Sequence, residues 1–154
     1  MVELIEPPDA ETIAIDYLAR ALAVQPGFER VAVAGSLPTR TAGARPPDEV
    51  VVVRSTGTTP RDLVVTTAQL TFTSWARGPQ DEVRAGAIAR RVQALVVAAE
   101  SLGAMGETPC YRVQAPTAPY PDPDPVTARA RYSATYLVDL RGSVLPIPFN
   151  PSSP

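Results

Sequence analysis

The sequence has no histidine, no lysine and one cysteine, Cys110; all 14 of its basic residues are arginine. Each absence removes a chemistry. Without histidine there is no imidazole acid or base, and no Ser–His or Cys–His nucleophile. Without lysine there is no Schiff base and no phosphate-loop ammonium. A single cysteine excludes an intramolecular disulfide, and with no histidine it also excludes a zinc site built from those two ligands. High-GC coding explains arginine in place of lysine together with the wealth of Ala, Pro and Val, so the missing lysine is not itself a functional signal. The expectation is a non-enzyme with no catalytic residues, cofactor or metal.

Excess charge is lacking too. Fourteen basic against 16 acidic residues leave a formal charge of −2, which gives no electrostatic case for nucleic acid or an anionic membrane. Residues 94–99, an apolar run bracketed by Arg91 and Glu100, are far too few to span a bilayer. Glu3 and Glu6 stand where a leader would carry basic residues, so a cytosol-like compartment is expected. What is present, 154 residues at 45% hydrophobic and 19% charged, suits one globular domain.

Periodicity predicts the elements. Asp9 is a good N-cap for a helix in which Ala14, Tyr17, Leu18, Ala21 and Leu22 recur on one face, ending near Val24 before Pro26-Gly27. A short strand is expected over 30–34, then a long polar loop over 35–48. The run Val50 to Val53 reads as a strand buried on both faces. Residues 55–62, with Gly57 and Pro60, read as a hairpin connection to a long strand over 63–75, where Ala68, Leu70, Phe72 and Ser74 alternate with polar residues. Gly78-Pro79 opens a second helix, with Ile88, Val92, Leu95, Ala99 and Leu102 as its buried stripe and Gly103 as its end. Arg84, Arg90 and Arg91 fall on its solvated side. A strand over 110–114, an irregular proline-rich stretch over 116–125 and a strand over 131–141 follow. The predicted order is α-β-β-β-α-β-β: an α+β fold with a mainly antiparallel sheet packed by two helices, over a single domain 1–141. Residues 142–154 form a proline-rich C-terminal arm, in which Leu145, Ile147 and Phe149 alternate with Pro146 and Pro148. Docking of that arm on a neighbour would cover these apolar groups.

Candidate sites are few. Asp122-Pro-Asp124 resembles the opening of a calcium loop, but Thr127 stands where that loop needs Gly and Ser133 where it needs Glu. Gly103-Ala-Met-Gly106 reads as a helix end and a turn, not a dinucleotide site. Cys110 reads as a partly buried structural thiol. Arg40 and Arg45 lie in the long loop, where they either contact a phosphate or partner carboxylate or remain solvated.

The succession of the 9–24 helix, the 49–54 strand, the 63–75 strand ending in an aromatic, the Ala-rich 79–102 helix and the Arg-Tyr-Ser-Ala-Thr-Tyr-Leu-Val-Asp-Leu-Arg strand of 131–141 resembles the tail terminator, or tail-completion, proteins of siphophages, especially those infecting actinobacteria. The resemblance covers about residues 9–141. It implies a homohexameric ring in the virion neck, assembled in the host cytoplasm, that caps the tail tube and ends its polymerisation. The ring's partners would be the major tail tube protein and the head–tail connector or head-closure protein. DNA would pass through the ring without sequence recognition, and no membrane is involved. The alternatives are a head-closure protein of the same neck, or a small non-catalytic ligand-binding module. No family residue transfers individually; loop placement gives Arg40, Arg45, Tyr120, Arg129, Leu145, Ile147 and Phe149 as interface residues.

Overall fold

A computed structural model describes residues 3–37 and 47–146. Among these residues ten elements follow one another: β1 (Leu4–Glu6), α1 (Ala10–Ala23), β2 (Ala32–Ala34), β3 (Val50–Pro60), β4 (Val65–Trp75), α2 (Glu82–Leu102), β5 (Ala104–Met105), β6 (Thr108–Pro121), β7 (Arg131–Arg141) and β8 (Ser143–Leu145). The α+β class is as the periodicity predicts, and the predicted seven-element order is completed by the short strands β1, β5 and β8. Strands this short give no alternation to read.

Six strands form one sheet in the order β2-β3-β4-β7-β6-β5, and β1 and β8 pair separately. Every pairing is antiparallel except β2 with β3, which run parallel. Both helices lie on one face. Asp9 caps α1 by accepting from the Thr12 amide at 3.2 Å and the Thr12 hydroxyl at 2.9 Å, a device that adds about 1 kcal/mol. Gly103, at φ +74, ends α2 in the left-handed conformation that a side chain would disfavour. Ala14, Leu18 and Leu22 of α1 and Ile88, Val92 and Val96 of α2 bury against Val51, Val53, Leu70, Phe72, Tyr136 and Val138. Truncating a side chain here, as in Leu18→Ala, costs on the order of 2–5 kcal/mol. Val50 and Val52 point to the opposite face and pack with Trp75, so the four-valine run is buried on both faces.

Several predicted boundaries shift. Residues 55–60 are strand, not connection: β3 continues to Pro60 against β4, with an irregularity between Ser55 and Gly57. The turn closes later, where the Arg61 amide donates to the Val65 carbonyl at 2.9 Å. Helix α2 starts at Glu82 after N-cap Asp81, leaving Pro79 outside it. Leu102 is 68% exposed, whereas Ala85, Gly86 and Ala89 join the buried stripe. Strand β6 continues through Pro116, Pro119 and Pro121, the stretch that reads as irregular, because β7 supplies a paired edge and three register shifts absorb the mismatch. Prolines are tolerated on an edge strand because their missing N–H can face outward.

Tyr136 sits at the centre of the helix-side core, fully buried and edge-on to Phe72 at 5.2 Å between ring centroids. Its hydroxyl has no hydrogen-bond partner among the described residues, and burial pushes its pKa up to about 12. A buried hydroxyl without a partner costs about 1–3 kcal/mol. Tyr136→Phe is therefore expected to leave stability unchanged or raise it by about 1 kcal/mol, read as the urea midpoint; a clear loss would mean that the hydroxyl has a partner.

Candidate functional site

Away from the cluster of Val50, Val52 and Trp75, the helix-free face of the sheet is mostly polar. The register lines up Thr67 with Asp139, Gln69 with Leu137, Thr71 with Thr135, and Thr73 with Ser133. Asp139 is only 5% exposed, yet it accepts from Arg61 Nη1 at 2.7 Å and Thr67 Oγ1 at 2.6 Å. Such a carboxylate tolerates burial because both partners address it directly.

At one end of the domain, arginines bracket two aromatic rings. The guanidinium carbons of Arg84 and Arg91 each lie 4.6 Å from the centroid of Phe28. Those of Arg129 and Arg131 lie 5.4 and 4.9 Å from Trp75. Arg84 also binds Glu49 through two nitrogens, at 2.5 and 3.0 Å, and that bond raises its pKa. Arg91 donates to Gln25 at 2.6 Å. The expected solvated face of α2 is thus partly wrong. Arg90 is exposed, but Arg84 and Arg91 clamp the turn after α1. A lone sequence does not show that Phe28, six residues beyond Leu22, is flanked by two guanidinium groups from α2.

Arg129 lies in the loop between β6 and β7, half-buried, and its side chain folds back on the domain. It donates to the carbonyls of Ala76, Pro47 and Asp48, the last at 2.7 Å, while lying over Trp75. Together with Arg84 on Glu49 it fixes the stem that leaves residues 38–46. Beside this stem is a cleft of about 470 Å³ lined by Arg30, Asp48, Glu49, Arg77, Asp81 and Arg84, in which both charge signs alternate. Arg40 and Arg45, and likewise Ile147 and Phe149, lie outside the described residues.

Tyr120 remains accessible at 45%, though on strand β6 instead of in a loop. Leu145 is half-buried on β8, opposite Leu4 of β1, so the arm's first residues pair within the chain. The amide of Gly142 donates to the Val64 carbonyl at 2.7 Å, which sets this small ribbon beside the β3–β4 turn. Leu4, Leu63 and Val144, exposed by 45%, 91% and 56%, therefore lie toward the end of the domain opposite Trp75, with Leu4 and Val144 on opposite faces of the ribbon. The acidic pair of 122–124 is used internally. The Asp122 carboxylate accepts from Ser133 at 2.8 Å and from Arg131 at 3.3 Å. Asp124 accepts from the Thr127 hydroxyl at 2.5 Å, which holds its pKa below the ordinary value. Cys110 is 1% exposed, and burial pushes its pKa up to about 11. A second cleft, of about 450 Å³, opens between α1 and the β5–β6 turn, lined by Asp16, Tyr17, Arg20, Met105 and Glu107.

Two outcomes follow from these contacts. Arg129→Ala removes charge-assisted bonds to three carbonyls and should cost on the order of 2 kcal/mol. It should also shift the fluorescence of Trp75, the only tryptophan, to the red; Arg129→Lys should not restore either property, since an ammonium lacks the planar fork. For Cys110 the neutral thiol is the form favoured in the fold. Its contribution to stability is intact below the free thiol's pKa of about 8.5 and falls as pH rises from there through about 11. Native protein at pH 8 should withhold this thiol from a thiol-specific reagent and release it in denaturant; rapid stoichiometric reaction without denaturant would contradict its burial.

Compared with known proteins, the chain matches no family model, and no curated protein matches it.

Proposed function

We propose that this chain is a non-catalytic, ring-forming structural subunit of a phage neck, a tail terminator that caps the tail tube and joins it to the head connector. The observation that carries this reading is the open edge of β3. Among the described residues, its seven residues Arg54–Pro60 are all exposed and are paired only with β4, because β2 covers β3 no further than Val52. A free edge of this kind is a template for another chain. Among the same residues it is closed only at Ser55, where Glu11 of α1 accepts the amide at 2.9 Å. The opposite side of the sheet is formed by β6, which the two-residue strand β5 covers only at Thr108 and Pro109, a different surface with different chemistry. Two unlike edges on opposite sides of one copy favour head-to-tail contact, which closes into a ring when the rotation between copies permits.

On this reading the apolar end at Leu4, Leu63 and Val144 and the arginine-rich end around Arg77 and Arg84 meet the two neighbours, tail tube and connector. The proposed site of action is the virion neck, with assembly in the host cytoplasm, DNA passing through the ring unread and six copies in the ring. One observation favours the ligand-binding alternative: the cleft beside Asp16, Tyr17 and Arg20 falls within the usual size range of small-molecule pockets, about 300–1,000 Å³. Multi-angle light scattering and negative-stain microscopy, with and without tail-tube protein, separate the two. A ring is expected; a persistent monomer in the presence of the tube would overturn the reading.

A further inference from the structure

The two-stranded ribbon of β1 and β8 is a sheet of its own, joined by three residue pairs: Leu4 with Leu145, Ile5 with Val144 and Glu6 with Ser143. Two isolated strands are marginal in water even when a tight turn connects them. Here no turn does, since nearly the whole domain lies between them. The pairing also leaves Leu4 45% and Val144 56% exposed.

Strand β1 is attached in a way that lets it leave, whereas β8 is held by its own chain through the Gly142 amide on the Val64 carbonyl. Pro7-Pro8 separates β1 from α1 and holds an extended spacer with fixed φ. Gly142 alone separates β7 from β8. It is glycine for a steric reason: a Cβ at that position would stand 2.5 Å from the Glu6 carbonyl oxygen. The ladder needs nothing that only its own chain supplies, so a second copy presents the same complement in the same register. Exchange of identical elements between copies is a low-cost route to association.

We propose that β8 of one copy pairs with β1 of a second copy, in the register seen within the chain. Donor and acceptor are unlike strands, so the contact is head-to-tail and passes from copy to copy until the ring closes. The inference rests on the ring reading and names the contact that links its members. Once the ring is held by other surfaces, the neighbouring strand is presented at high effective concentration, and the exchanged pairing needs no additional affinity.

The test uses the directly opposed pair Leu4 and Leu145, which in an antiparallel ladder lie about 4.5–5.5 Å apart at Cα, within the range a disulfide spans. Affinity-tagged Leu4→Cys and untagged Leu145→Cys chains are co-expressed, oxidised mildly and mapped by mass spectrometry, with light scattering on the same sample. The double variant Leu4→Cys/Leu145→Cys is the control for geometry and folding. Exchange predicts a 4–145 disulfide joining tagged to untagged chains within the ring. Rings without that link, while the double variant links within single chains, would overturn the exchange and leave the ring reading standing. Monomers that link only within single chains would overturn both.

Discussion

Strands β4 and β7 are joined by eleven consecutive residue pairs without a bulge, from Val65 opposite Arg141 to Trp75 opposite Arg131. Side chains alternate with a period of two, so this register decides what each face of the sheet receives. It aligns Leu70 with Tyr136 and Phe72 with Ala134 beneath the helices, and Thr71 with Thr135 on the other side. A slip of one residue would bring Thr135 under α2 and put Tyr136 in water. The same register sets Thr67 beside Asp139, which is why that carboxylate can be buried, and Trp75 beside Arg131, which begins the arginine bracket. Core, polar face and aromatic clamp are consequences of one ladder.

The exclusive use of arginine has a structural counterpart. Four guanidinium groups lie on two aromatic rings, and two of them, Arg84 and Arg129, also donate to groups on the 47–49 stem. A planar cation can stack and donate in its own plane at once; an ammonium on a flexible stem does one or the other. Coding bias explains why arginine is abundant, but not why these four converge on Phe28 and Trp75. Their effect is to turn a turn and a loop stem, neither with a large apolar face, into fixed parts of the domain.

Legibility followed the length and regularity of the signal. The N-cap Asp9, the stripe of Ala14, Leu18 and Leu22, the doubly buried valines and the alternation of β4 and β7 are each stated by local pattern, and the α+β class follows from them. Cys110 was legible from the lack of any activating partner. The continuation of β6 through three prolines was not, because local preference there favours a polyproline conformation and the pairing with β7 overrides it. Arg129 and the Arg84–Phe28–Arg91 bracket depend on contacts between residues more than fifty positions apart, for which a single sequence has no marker. The ribbon that occupies Leu145 is likewise a pairing of the first described strand with the last.

The distribution of proline also bears on how copies of this domain would meet. Pro109, Pro116, Pro119 and Pro121 lie on β6, which is interrupted by three register shifts, whereas β3 carries a proline only at its end, Pro60. Proline removes a donor and a shifted register removes the even spacing of the rest, so β6 resists a continuous ladder from a neighbouring strand. In such an assembly the β3 edge, open among the described residues, would meet on the far side of an identical copy a strand that does not extend it residue by residue. That mismatch suppresses unlimited sheet growth, the hazard of any domain with exposed edges. A ring built from such copies must be closed by contacts other than one uninterrupted sheet: side-chain contacts along the guarded edge, and short segments that can pair independently of it. Strand β1, set off from α1 by Pro7-Pro8 and paired only with β8 among the described residues, is the segment with that independence.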